Sequence, residues 1–88
     1  MVRKRVVVSG LVQGVFFRDT CRRMAAVQGV AGWVRNRPDG TVEAVFEGEP
    51  AAVGRMVRWA GRGPSEAEVS GIDVYDEPPE QLSGFVIH

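Results

Sequence analysis

Arg18 is the residue through which this chain could do chemistry, and the segment that leads to it is Gly10-Leu11-Val12-Gln13-Gly14-Val15-Phe16-Phe17-Arg18. Two glycines here join an apolar, strand-like run to a helix-like one. A glycine-bearing turn at the start of a helix aims several backbone N–H groups at one point, and the helix's unpaired donors and positive end favour an anion there. Arg18 adds a planar, permanently charged fork that can hold a phosphate or carboxylate through two hydrogen bonds. The same pattern also suits a plain strand-to-helix connection in which Gly10 and Gly14 only supply unusual backbone angles.

Other chemistries lack their residues. No set of cysteines and histidines can hold zinc, and no Cys-x-x-Cys pair is present for softer metals, so no metal or other cofactor is expected. The glycine turn does not end in the Gly-Lys-Ser/Thr of a nucleotide-binding P-loop. A serine or cysteine nucleophile would need a histidine base, and the one histidine is the last residue, His88. Glu43, Glu47 and Glu49 read as exposed strand and loop residues rather than as a catalytic carboxylate pair. Anion binding by backbone donors and Arg18 is what remains.

The elements that must position these groups follow from periodicity. Arg5 to Ser9 is a β-branched run closed by Gly10, which suits a buried central strand. Phe17, Cys21, Met24 and Ala25 recur at helical spacing and predict a first helix over about Phe17 to Gln28, stopped by Gly29, with Cys21 as a small core residue. Val30 to Arg37 and Thr41 to Gly48 are strands joined by Arg37-Pro38-Asp39-Gly40, a specific hairpin signal because proline presets the turn and glycine takes the left-handed position. In the later strand Val42, Ala44 and Phe46 alternate with Thr41, Glu43 and Glu47, which predicts one wet face. Pro50 opens a second helix whose stripe is Val53, Met56, Val57 and Ala60, with Trp59 at the core edge and Arg55, Arg58 and Arg62 in solvent. Gly61-Arg62-Gly63-Pro64 ends it. Ala67 to Tyr75 is a fourth strand whose alternation slips near Ser70-Gly71, the mark of a bulge. Gly84 to His88 can add a short terminal strand, with Phe85 and Ile87 on one face.

The order strand, helix, strand, strand, helix, strand predicts an α+β, ferredoxin-like sandwich. Two βαβ units form a four-stranded antiparallel sheet, with the possible short fifth strand, and both helices lie on one face. The 88 residues suffice for a single domain, 1–88, with one core. Eleven basic residues balance eleven acidic ones, against the basic face expected of a nucleic-acid binder. One cysteine fits a reducing, cytoplasmic setting, and no run approaches the roughly 18 apolar residues of a membrane span. A monomer is the default for such a domain.

Two segments resemble family signatures. Gly10 to Arg18 is similar to the first signature of the acylphosphatases. Gly32-Trp33-Val34-Arg35-Asn36-Arg37-Pro38-Asp39-Gly40-Thr41-Val42-Glu43 is similar to the second. The spacing between them, and Gly63-Pro64 followed by Ala67 and Val69, also fit. The ending Phe85-Val86-Ile87-His88 departs from the Phe-x-Ile-Arg-Tyr that many relatives show.

The resemblance implies a metal-independent hydrolase. It would split acyl phosphates, small mixed carboxylic-phosphoric anhydrides, into a carboxylate and inorganic phosphate. It further implies that Arg18 binds the phosphoryl group, with help from the backbone N–H groups of Gln13, Gly14, Val15, Phe16, Phe17 and Arg18, and that Asn36 orients the attacking water. On its own, Asn36 reads as a turn-flanking asparagine, and Arg35 and Arg37 as solvated strand residues. Two other classes remain beside the enzyme: a non-catalytic module that binds a phosphorylated ligand, and a nucleic-acid binder using the open sheet face.

Overall fold

The computed structural model describes all 88 residues, Met1–His88. Its elements are β1 (Val2–Leu11), α1 (Phe17–Gln28), β2 (Ala31–Asn36), β3 (Val42–Gly48), α2 (Pro50–Arg62), β4 (Glu68–Glu77) and β5 (Phe85–Ile87). The sheet order is β4-β1-β3-β2-β5, and the first four strands pair antiparallel. This is the expected ferredoxin-like α+β arrangement. β5 adds to β2 in parallel, so the five-stranded sheet is mixed. Central β1 carries the Val6-Val7-Val8 run, as its β-branched character requires.

Both helices cover one face of the sheet. The core beneath them is a cluster of 17 buried residues, among them Val6, Val8, Val34, Val42 and Phe46 from the strands and Cys21, Ala25, Val53, Met56 and Ala60 from the helices. At roughly 25 cal/mol per Å² of apolar surface removed from water, such a cluster is the main stabilising term. Trp59, expected at the core edge, is 6% exposed, with its ring 5.1 Å from that of Phe17. The expected bulge lies in β4: Ser9 pairs with Gly71 and Gly10 with Val69, leaving Ser70 as the extra residue. Gly10 sits opposite it at φ 119°, where a Cβ would lie 2.2 Å from the Glu68 carbonyl oxygen.

The second face of β3 is not wet. All seven of its residues are buried, and Glu43 and Glu47, expected in solvent, are 8% and 0% exposed. Glu49 alone of the three lies in solvent. Two features cover this face. Arginines from neighbouring strands reach over it: Arg35 Nε donates to Glu43 at 2.7 Å and Arg5 Nη1 at 3.3 Å, while Arg3 Nε and Arg5 Nε both hold Glu77. The segment leaving β4 then folds back, and the Glu47 carboxylate accepts from the backbone N–H groups of Glu80 and Leu82, each at 2.7 Å. Those two donors hold the Glu47 carboxyl below the usual carboxylate range, against the opposing effect of its burial.

Candidate active site

The turn between β1 and α1 is shaped by what its flanking side chains bury. Val12 and Val15 are buried, and Phe17 is 2% exposed beneath Trp59. Gly63, at φ 74°, leaves room for the Phe17 ring, because a Cβ there would come within 3.2 Å of it. With Val15 and Phe17 both anchored inward, Phe16 is turned outward: it is 70% exposed and takes the left-handed conformation, φ 63° and ψ 24°. That conformation costs a non-glycine residue on the order of 1–2 kcal/mol. Gly14 makes the preceding reversal at φ 74°.

Phe16 is also the N-cap of α1, and no side chain caps the helix start. No backbone carbonyl accepts from the N–H groups of Gly14 through Asp19; the first amide of the turn to find an acceptor is Thr20, which donates to Phe16 O at 3.1 Å. A row of unpaired donors at a helix N-terminus is an oxyanion cradle in form. Arg18 projects from the first turn, exposed, and takes part in none of the ten salt bridges. Adjacent Asp19 pairs instead with Arg22 at 3.4 Å and Arg23 at 3.3 Å, so no carboxylate of the chain neutralises the Arg18 charge.

Beside the cradle lies a cleft of about 350 Å³ lined by Val12, Gly14, Phe16, Phe17, Arg18, Asp19, Asn36 and Ile87. Arg18 and Asn36, 18 positions apart in sequence, are therefore brought to one cavity. Asn36 ends β2, paired with Val42 of β3, and its carboxamide has no hydrogen-bond partner in the chain. Arg35 and Arg37 stand outside the cleft: Arg35 is committed to Glu43, and Arg37 lies 3.6 Å from Asp39. Of the other loop residues, Gly14, Phe16 and Phe17 line the cleft, whereas the Val15 side chain points into the core.

Gln13 has a task that sequence spacing does not reveal. Its Nε2 donates to the carbonyl oxygens of Arg37 at 2.8 Å and Thr41 at 2.9 Å, the two residues that close the β2–β3 hairpin. Of the two ends of a glutamine carboxamide only the NH₂ can donate to carbonyl oxygens, so the side chain's orientation is fixed. The bridge fastens the β1–α1 turn to the hairpin next to Asn36. Ile87 was also missed; it reaches the cleft because β5 lies beside β2, with Val34 and Ile87 as register partners. Burial pushes the Cys21 thiol up, so it is an inert core group. No three His, Cys, Asp or Glu side chains converge closely enough to hold a metal ion.

Fold and site together define a ferredoxin-like α+β domain with an arginine and unpaired backbone amides converging at a strand-to-helix turn. The acylphosphatase family model matches residues 4–87. An acylphosphatase of Rubrobacter xylanophilus is 62% identical over 76 residues, spanning 86% of this chain and 69% of that one. Another from Gloeobacter violaceus is 56% identical over 86 residues, spanning 98% and 92%. The crystal structure of an acylphosphatase from Bacillus subtilis superposes with a TM-score of 0.95 at 36% identity, covering 100% of this chain and 99% of that one. The chain belongs to the acylphosphatase family, hydrolases that act on acid anhydrides and whose substrates are small acyl phosphates.

Proposed function

We propose that this chain hydrolyses acyl phosphates without a metal ion, with Arg18 and the backbone N–H groups of the Gln13–Arg18 turn holding the phosphoryl group and Asn36 orienting the attacking water. The observation that carries this reading is the convergence of an unpaired arginine, unpaired amides and an unpaired carboxamide on one cleft. The phosphoryl oxygens take the Arg18 fork and the amides, which supply the positive field that a metal would otherwise give. The Asn36 carboxamide both donates and accepts, so it can hold a water in line with the bond to be broken. Water oxygen bonds to phosphorus, the bond from phosphorus to the acyl oxygen breaks, and the pair leaves on a carboxylate. The water's proton passes to a phosphoryl oxygen. A carboxylate is a good leaving group, so positioning and charge stabilisation suffice without a strong base.

Residues 1–88 act in this reading as one domain, monomeric and cytoplasmic, with no nucleic-acid partner. Zero formal net charge, a single buried thiol and the absence of any helix long and apolar enough to cross a membrane support it.

The test is hydrolysis of benzoyl phosphate with a chelator present. Arg18→Ala should abolish turnover nearly completely, and Arg18→Lys should remain severely impaired because a point charge does not replace the fork. Asn36→Ala should lower kcat on the order of a hundredfold with the fold intact. Near-normal activity in these variants refutes the residue roles. A folded wild-type protein that binds phosphate but turns nothing over refutes the hydrolase.

A further inference from the structure

Formal neutrality of the whole chain hides a separation of charge between its two layers. Six of the eleven basic residues lie on the helices, Arg18, Arg22 and Arg23 on α1 and Arg55, Arg58 and Arg62 on α2, and all six are exposed. Of the eleven acidic residues only Asp19 is helical, which leaves the helices at +5 and the rest of the chain, with five basic and ten acidic residues, at −5. Outside the helices every cation is matched: Arg3, Lys4, Arg5, Arg35 and Arg37 each pair with a carboxylate. α2 holds no acidic residue, and none of its three arginines forms an ion pair. They recur at i, i+3 and i+7 and so form one stripe along the helix. The stripe borders α1, because Arg55 Nε donates to Gln28 Oε1 at the end of that helix while Trp59 packs on Phe17 at its start. Like charges at this spacing repel, and no carboxylate of the chain relieves them.

An occupant of this face must be anionic, and its surroundings narrow the chemistry further. The aromatic residues of the helices, Phe17 and Trp59, are buried, so the stripe offers no platform on which the bases of a single strand could stack. Val27 is the one large apolar side chain that the helices expose, too little to anchor in a lipid surface. A nucleic-acid duplex would overhang a molecule of 31 × 22 × 21 Å and meet the −5 of its remaining surface. A short run of carboxylates meets none of these objections, and each guanidinium fork can take one carboxylate. We propose that the Arg55-Arg58-Arg62 stripe of α2 docks a partner protein through a carboxylate-rich segment. The surface is separate from the active-site cleft, which none of the three arginines lines. A partner helix with carboxylates at i, i+3 and i+7 matches it one for one.

The experiment measures binding of poly-L-glutamate at low salt to wild type, to Arg18→Ala and to a variant combining Arg55→Gln, Arg58→Gln and Arg62→Gln. Glutamine is close to arginine in helix propensity, so the combined variant keeps its fold. Loss of three exposed ion pairs should weaken binding by about tenfold or more, whereas Arg18→Ala should change it by less than about twofold. Raising the salt to about 0.3 M should weaken wild-type binding by a similar factor and that of the combined variant by less. No binding of poly-L-glutamate by wild type, or equal binding by wild type and the combined variant, overturns the proposal. A loss caused by Arg18→Ala as large as that of the combined variant also overturns it, by returning the anion to the cleft. Tighter binding of oligothymidylate or of phosphatidylserine vesicles than of poly-L-glutamate overturns it in favour of a nucleic-acid or a lipid surface.

Discussion

Replacing Gln13 by leucine tests whether the β1–α1 turn and the β2–β3 hairpin act as one unit. The change keeps the side chain's bulk and removes two hydrogen bonds, Nε2 to Arg37 O at 2.8 Å and to Thr41 O at 2.9 Å. Neither carbonyl is left bare, because Arg37 O still accepts from Gly40 N at 3.1 Å and Thr41 O from Arg37 N at 2.9 Å. The loss is therefore that of two net hydrogen bonds without an orphaned partner, about 2 kcal/mol in total. In a domain of this size that corresponds to roughly 8–15 °C in Tm. Denaturant unfolding at 25 °C should show the midpoint shifted with the slope unchanged.

Activity provides a second readout. Freeing the hairpin displaces Asn36 relative to the Arg18 cradle, and a misplacement on the order of 1 Å costs roughly a hundredfold in rate. kcat should fall by about ten- to a hundredfold in Gln13→Leu. In an Asn36→Ala background the same substitution should cost less than about threefold, because the group it positions is gone. A Gln13→Leu protein within about 0.5 kcal/mol of wild type, with unchanged kcat, would refute the bridge.

Acid should unfold the protein through its outer face. Glu47 and Glu77 are held below ordinary carboxylate values by the Glu80 N–H and by Arg3 respectively, so the unfolded chain binds the extra protons. Their stabilisation is present above about pH 4.3 and lost as pH falls through the depressed native values. Glu47→Gln should cost roughly 1–3 kcal/mol at pH 7 by replacing one of two accepting oxygens, and should flatten the acid limb of a Tm against pH profile. Gly32→Ala should destabilise by about 3 kcal/mol or more in urea unfolding. Gly32 has φ 141° and a Cβ would lie 1.8 Å from the Val45 carbonyl oxygen, whereas Gly71→Ala meets nothing within 4 Å and should change little. Cys21 should resist iodoacetamide in the native protein and react on denaturation, and Cys21→Ser should cost about 1–3 kcal/mol by burying an unpaired hydroxyl.

Local signals in the sequence located most of this fold. The Pro-Asp-Gly turn, the glycine that stops α1 and the proline that opens α2 act within a few residues of themselves, and the elements they bound are where those signals put them. Burial of Glu43 and Glu47 was not legible, because alternation reports which face of a strand is polar and not whether a segment 33 residues later returns to cover it. Arg18 was marked by its own helix start, but Asn36 became notable only through a family resemblance, since the cleft it shares with Arg18 is assembled from β2 and the β1–α1 turn, far apart in sequence. The Gln13 bridge spans 24 and 28 residues to two carbonyls, which carry no side-chain signature. Phe16 was singled out only for its backbone N–H, and the outward turn of its ring carried no signal in the sequence. Its left-handed backbone is imposed by the burial of both neighbours, a constraint that emerges only once they are packed.

The strand order leaves β4 and β5 at the two edges of the sheet, and the edges differ in kind. β5 offers three residues to any strand that would add to it, too few for stable pairing. β4 offers ten with no basic residue among them, and while Asp76 and Glu77 are held by Lys4 and by Arg3 and Arg5, Glu68 and Asp73 have no ion-pair partner. A second copy laying its own β4 alongside would bring like charges together along the new seam. Growth of the sheet from one molecule into the next is thus opposed by shortness at one margin and by repulsion at the other.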